Sequence, residues 1–490
     1  MNLMEVLSVL PETEIPRQAR AANPAILRVV HDSREVEPGD LFVALAGQRT
    51  DGLEHAAEAV ARGAAVVISD RPAPPGLGNA VPWILVPSPR RALGKLAAQI
   101  AGNPAEKLVL AAVTGTNGKT TTTMLLEALL TRRHGLSGFL GTVAYRTGRR
   151  QAPALRTTPE APVVQAWLAE MADEGVEAAA MEVSSHALAL DRVEGCRFDL
   201  TVFTNLTHDH LDFHGDMESY FAAKKRLFQM RKPDAPAVVN VDDPWGARLA
   251  REIEPPVWTF SALGNRSDVR AAGIESNLTR TSLHVIAGEK SFRVVSPLLG
   301  RFQVENLLAA AAAGLALDMP ETEIASALAS VERVPGRFEP VAAGQPYPIL
   351  VDYAHTPDAL ERLLSSVRGV TDRKIVLVFG CGGDRDRGKR FPMGEIAGRL
   401  ADLPIATSDN PRSEDPEAIL SEVERGLRAS GSTTFRRITD RREAIREAIE
   451  MADPDGVVVI AGKGHETTQV IGDRELPFDD RVVAKELAGK

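Results

Sequence analysis

"LVLAAVTGTNGKTTTTMLLEALL", residues 108–130, sets the architecture of the chain. An apolar run from Leu108 to Val113 leads into a turn with Gly115 and Gly118, then Lys119, Thr120 and a long stretch of helix formers. Strand, glycine turn and helix in that order are what a phosphate-binding loop needs. Main-chain N–H groups at the helix start face the phosphates, a lysine neutralises them, and the neighbouring hydroxyl reaches Mg²⁺. The usual spacing puts a glycine five residues before Gly118, where this chain has Val113. The loop is therefore the shorter run Gly115, Thr116, Asn117, Gly118, Lys119, Thr120, with Thr121 next. As a bare string it also suits an ordinary strand-to-helix turn; the flanking strand and helix favour nucleotide binding.

Outward from this stretch, apolar runs alternate with helical ones: "EAAAMEV", "LTVFTNL" and "PAVVNV" follow. Such alternation predicts a parallel sheet with crossover helices. A second series begins near residue 347 with "YPILVDY", "KIVLVFG", "LPIAT" and "GVVVIAG". Ligand groups in open α/β sheets sit at the carboxyl ends of such strands. "VPGRFEP", residues 334–340, would join the two sheets, and "AGNPAEK", residues 101–107, would link a first unit to the phosphate loop. "DRPAPPGLGNAVP", residues 70–82, reads as a loop inside that first unit. A chain of 490 residues exceeds one core. We expect an α/β protein of three domains, 1–105, 106–338 and 339–490, with a P-loop parallel sheet in the centre and a Rossmann-like domain last.

The composition, 44% hydrophobic and 25% charged, is that of a soluble globular protein. A net charge of -9 argues against a nucleic-acid surface, which needs clustered Lys and Arg. The two cysteines, Cys196 and Cys381, have no metal-type spacing and support no disulfide framework, so a reducing cytoplasm is expected. The first twenty residues lack a basic segment before their apolar run and make a poor signal peptide. "LLAAAAAGLAL", residues 307–317, is about half a membrane span and reads as a buried helix. No membrane insertion is expected.

Three further stretches carry chemistry. "MEVSSHAL" puts Glu182 and Ser184 just beyond a strand, and "FTNLTHDHLDFHGDMESYFAAKKRLF" puts His208, Asp209, His210 and Asp212 beyond another. Hard cations such as Mg²⁺ take carboxylates and few protein ligands, so Glu182 and Thr120 could share one ion. A surface loop carries the same residues with no metal. "TSDNPRSEDP", residues 407–416, places Arg412 in a tight turn with Asp409, Asn410 and Pro411. The turn needs the Asp, Asn and Pro, but it has no need of an arginine.

With these stretches, "HDSREVEPGDLFVAL", "RTTPEAP", "VDYAHTPDAL", "FGCGGDRDRGKR" and "AGKGHE" make the chain resemble, over essentially its whole length, the ATP-dependent Mur ligases that build the peptidoglycan precursor peptide. It looks most like the branch that adds meso-diaminopimelate to UDP-N-acetylmuramoyl-L-alanyl-D-glutamate. The resemblance implies that Ser33, Gln48 and Arg49 contact the uridine end, and that Thr157, Thr158, Ser184 and Arg192 hold the muramoyl dipeptide. It implies ATP binding by Gly115, Thr116, Asn117, Gly118, Lys119, Thr120 and Thr121, with Asn306, Arg337, Asp352 and His355. Diaminopimelate would meet Arg385, Asp409, Asn410, Pro411, Arg412, Gly462 and Glu466. Catalysis would rest on Lys119, Glu182, His210 and Lys224, and Mg²⁺ on Thr120, Glu182, His210 and a carbamylated Lys224. On the residues alone Lys224 is an ordinary exposed helix lysine. The chain departs from several relatives at Leu190, where they carry Gln. We expect a monomer acting on small molecules. A lysine-adding ligase, a folylpolyglutamate synthase and a P-loop switch are the alternatives.

Overall fold

The apolar runs of the middle segment become neighbouring parallel strands. In a computed structural model that describes residues 1–47, 50–452 and 456–489, strand Val109–Thr114 lies between Leu200–Phe203 and Ala178–Glu182. Ser137–Leu140, Ala237–Asn240 and Val257–Ser261 continue the parallel set outward. Alternate residues of one strand enter two separate cores: Ala111 and Val113 face one, Leu110 and Ala112 the other. Helices cover both faces, which is why these strands read as unbroken apolar runs. Helix Lys119–His134 packs in the first core against helix Gln303–Ala316, the buried helix anticipated from residues 307–317.

The sheet is longer than its parallel part. Val269–Ser276 still pairs parallel with Val257–Ser261, and antiparallel Thr281–Ala287 and Lys290–Ser296 extend that edge, with Tyr145–Arg146 and Gln151–Ala152 at the other, giving eleven strands. These added segments mix Ser, Thr, Arg and Glu with apolar residues and are half exposed, so they carry no clear apolar run.

A four-stranded parallel sheet, Val29–Val30, Leu41–Val43, Val66–Ser69 and Trp83–Leu85, precedes the central one. The last sheet has six strands in the order Glu339–Pro340, Ile349–Asp352, Gly456–Ala461, Lys374–Phe379, Leu403–Ala406, Arg436–Arg437, antiparallel only at its first pair. Limits at 1–105, 106–338 and 339–490, which we propose for the domains, leave each sheet whole. A hairpin, Thr468–Ile471 with Arg474–Pro477, follows. Among the described residues no helix is long and apolar enough to cross a membrane.

One buried ion pair supports the loops of the last sheet. Arg441 Nε donates to Asp480 Oδ1 at 2.8 Å and Nη2 to Oδ2 at 2.6 Å, with both side chains fully buried. The same guanidinium donates to Ala461 O at 3.0 Å, at the end of a strand. Asp480→Ala leaves this cation uncompensated and should destabilise the C-terminal unit by about 3–5 kcal/mol. Urea denaturation checks it. The double replacement Arg441→Met/Asp480→Leu should lose far less, because it removes both buried charges.

Candidate active site

Because Val109–Thr114, Ala178–Glu182 and Leu200–Phe203 are parallel neighbours, the residues that follow them converge. The phosphate loop is braced by the third strand's end. Thr116 N donates to Asn205 O at 2.8 Å, Asn117 N to Asn205 Oδ1 at 2.9 Å, and the Thr204 hydroxyl to Asn117 O at 2.6 Å. Gly118 opens the helix at φ +85°, and a Cβ there would lie 2.3 Å from Asn306 Oδ1. Only glycine serves at such a position. Lys119 Nζ donates to Gly115 O at 3.0 Å and Thr116 O at 2.9 Å. Burial presses its pKa down, opposed by the charges of Glu182 and Asp209.

Glu182 is fully buried yet well partnered. Thr142 N donates to Oε1 at 2.7 Å; the Thr120 and Thr142 hydroxyls lie 3.0 Å from Oε2. Arg337 Nη2 reaches the Thr120 hydroxyl at 3.3 Å from the connection between the units. Lys224 corrects the reading made from the residues alone: it is 1% exposed, not a surface lysine. Its Nζ donates to Gly115 O at 2.7 Å and lies 4.6 Å from the Tyr220 ring centroid. Burial, with Lys119 nearby, lowers its pKa well below the ordinary value. His210 adopts φ +55°, and burial holds its pKa down to about 4, so the imidazole is neutral at neutral pH. His186, 4.7 Å away between centroids, is likewise held to about 4 by burial and then by His210.

A cleft of about 260 Å³ gathers Thr116, Asn117, Gly118, Lys119, Thr120, Thr121, Glu182, His210, Asn306, Arg337, Asp352 and His355. Gly115 sits behind it, where a Cβ would lie 1.9 Å from Thr204 Oγ1. Asp352 accepts from Phe338 N at 2.7 Å and Ala354 N at 2.8 Å, which fixes the end of its strand. Phe302, Ala359 and Leu363 form an apolar wall that sequence reasoning missed.

A second, larger cleft of about 1200 Å³ is lined from the central unit by Thr157, Thr158, Ser184 and Arg192, and from the last unit by Arg385, Asp409, Asn410, Arg412, Gly462 and Glu466. Both clefts share Thr157, Asp209, His210, Tyr353, His355 and Thr356, so they open into one another. Pro411 and Leu190 do not line it, and Ser33, whose hydroxyl donates to Glu58 Oε2 at 2.7 Å, lines neither. Gln48 and Arg49 lie outside the described residues.

Residues 409–412 are not the closed turn anticipated. Arg412, at φ +52°, donates its N–H to Val470 O at 3.1 Å and accepts from Gly472 N at 2.7 Å, so its main chain pairs with the hairpin. The hairpin satisfies the main-chain groups that a turn would have paired internally. The Arg412 side chain turns back to the cleft, with Nη1 2.7 Å from Gly383 O. Burial and Arg385 both lower its pKa, against Asp409 and Glu466. Two neighbouring guanidinium groups in a half-buried cleft suit a carboxylate. Glu466 Oε2 accepts from Asn410 Nδ2 and Lys463 Nζ, each at 2.9 Å.

Among the described residues no three His, Cys, Asp or Glu side chains converge as a ready metal cluster. The Thr120 and Glu182 pair nevertheless suits a hard cation that takes its remaining ligands from phosphate and water.

The chain is similar to known proteins in sequence and in fold. A family profile described as Mur ligase middle domain matches residues 113–314, one described as Mur ligase, glutamate ligase domain matches 336–464, and one described as Mur ligase family, catalytic domain matches 26–100. The chain is 46% identical, over 99% of each, to the UDP-N-acetylmuramoyl-L-alanyl-D-glutamate--2,6-diaminopimelate ligase of Geobacillus thermodenitrificans (strain NG80-2). A solved structure bearing that enzyme name is 34% identical with a TM-score of 0.70, covering 100% of this chain and 99% of its own. The MurF ligase of Thermotoga maritima, solved in complex with ADP, shares the fold at 22% identity and a TM-score of 0.63, over 94% of this chain and 96% of its own. By sequence and by fold, the chain belongs to the Mur ligase family.

Proposed function

We propose that the protein is an ATP-dependent amide ligase that joins meso-diaminopimelate to the D-glutamyl carboxylate of UDP-N-acetylmuramoyl-L-alanyl-D-glutamate, in peptidoglycan precursor synthesis. The observation that carries this is the pair of joined clefts, a phosphate cradle opening directly onto a pocket where the Arg385 and Arg412 guanidinium groups lie beside each other. The smaller cleft holds ATP, its base against Phe302, Ala359 and Leu363 and its phosphates on the loop at Lys119. The larger one holds the acceptor carboxylate on the central side and the amino acid on the other. Ser33, with Gln48 and Arg49, takes the uridine end.

In the first step a carboxylate oxygen of the acceptor attacks the γ-phosphorus and ADP leaves, giving an acyl phosphate. The free amine then attacks the acyl carbon, loses its proton, and the tetrahedral intermediate expels phosphate. Lys119 and Arg337 stand where negative charge grows, and such preplaced charge supplies most of the catalysis in phosphoryl transfer. Mg²⁺, held by Thr120, Glu182, His210 and Lys224 as its carbamate, would neutralise phosphate oxygens. The lowered pKa of Lys224 supports that modification, because only the free amine reacts with CO₂. Arg412 and Arg385 bind the distal carboxylate of diaminopimelate, and Asp409 and Glu466 its ammonium. Two free, buried cysteines fit a reducing compartment, and we assign a monomeric enzyme to the cytoplasm.

Phosphate release measured with the UDP-muramoyl dipeptide, ATP and Mg²⁺ should require an added amino acid and should favour diaminopimelate over lysine. Release that needs neither acceptor nor amine would make the chain an NTPase switch. Glu182→Gln should raise the Mg²⁺ concentration for half-maximal rate at least about tenfold, the smaller effect typical even of residues one shell further from a metal. A Mg²⁺ titration of the same assay reads it.

A further inference from the structure

Helix Pro357–Arg368 of the last unit leans on the phosphate loop of the central one. Its second residue, Asp358, sends its carboxylate across. Asp358 Oδ2 accepts from Asn117 Nδ2 at 2.8 Å and from the Thr207 hydroxyl at 3.2 Å. Asn117 belongs to the phosphate loop, and Thr207 follows strand Leu200–Phe203, whose end braces that loop. Thr207 is itself tied to the loop, its N–H donating to Thr116 Oγ1 at 3.1 Å. One carboxylate from the last unit therefore closes a ring of hydrogen bonds around two loops of the central unit.

One turn along the helix a second contact crosses between the units. Arg362 Nε lies 3.3 Å from Asp358 Oδ2, and Nη1 lies 3.6 Å from Glu305 Oε2 on helix Gln303–Ala316. These ion pairs are partly exposed and contribute little. The bonds that Asn117 and Thr207 give to an ionised carboxylate are of the stronger kind. Residues four apart share a helix face, so Asp358 stands directly over the face whose Ala359, Arg362 and Leu363 line the smaller cleft, while Asp358 itself lines the larger one. Arg385 and Arg412 ride on the last unit and Lys119 on the central one. A nucleophile held by the first pair meets an acceptor activated at the second site only while the two units keep this relation.

We infer that Asp358 is a positioning residue that clasps the last unit onto the phosphate loop through Asn117 and Thr207, and so holds the nucleophile pocket in line with the phosphate cradle. The clasp itself stands on the geometry alone. Its kinetic consequence rests on the ligase reading above.

The test uses the full chain, with Asp358→Ala and Asp358→Asn, in two measurements. In small-angle X-ray scattering of the ligand-free protein, Asp358→Ala should show a larger radius of gyration than the wild type. In the phosphate-release assay with diaminopimelate its kcat should fall about 10²-fold, the scale of a misplacement of about 1 Å at a reacting centre. The KM for ATP should rise, because Ala359 and Leu363 move with the helix. Preference for diaminopimelate over lysine should be unchanged, because Arg385 and Arg412 move together. Asp358→Asn keeps an oxygen that accepts from Asn117 and Thr207, and it should recover the compact form and most of the rate. An Asp358→Ala protein as compact as the wild type overturns the clasp. Equal loss in both variants, with a lowered melting temperature, reduces Asp358 to a structural residue. Lost preference over lysine with an unchanged KM for ATP would place it in the amino-acid pocket and overturn the positioning role. Wild-type phosphate release that needs no amine overturns the ligase reading, and the scattering comparison then still decides the clasp.

Discussion

Replacing Arg412 by Ala is expected to cut kcat/KM for diaminopimelate on the order of 10³-fold, about 4 kcal/mol, the loss typical when one partner of a desolvated charge pair is removed. The ATP requirement should survive, because Arg412 does not line the nucleotide cleft. Alanine isolates the side chain cleanly. Arg412 sits at φ +52°, and alanine carries the same left-handed cost there, so no backbone strain is added or relieved. Lysine at 412 should not restore the rate, since a single ammonium cannot form the two parallel bonds that a guanidinium gives a carboxylate. Preference over lysine as substrate should collapse together with the rate. Wild-type kinetics for diaminopimelate in this variant would remove Arg412 from the pocket.

Lys119→Ala should lower kcat by about 10²- to 10³-fold at saturating substrates, the usual result of deleting one preplaced charge from a reacting centre. Its ammonium is held by two loop carbonyls, Gly115 O and Thr116 O, and so is aimed before any nucleotide arrives. Lys119 lines only the smaller cleft, so diaminopimelate binding measured by calorimetry should be unchanged. An equal loss of amino-acid affinity would show that the variant had disturbed the fold instead.

Much of this was legible in residues 108–130 and in the four apolar runs after residue 347, because strands buried on both faces leave continuous apolar sequence. The antiparallel edge was not legible, since Val269–Ser276 and Thr281–Ala287 mix polar with apolar residues on a half-exposed surface. The charged residues proposed to grip ligands, such as Lys119 and Arg412, stood out against neighbours that had no need of them. Lys224 did not. Its burial comes from tertiary packing against Tyr220 and Gly115, which helix spacing alone does not reveal. Thr142 was invisible for a related reason: it works through its main chain as much as through its hydroxyl, and any residue has a main chain.

The hairpin Thr468–Pro477 has a practical bearing on redesign. Arg412 owes its direction to main-chain pairing with Val470 and Gly472, not to the sequence around it. Grafting residues 409–412 alone into a relative would transfer the letters without the aim. The loop and the hairpin form one exchangeable cassette, and a swap meant to move the role proposed for Arg412 has to carry both.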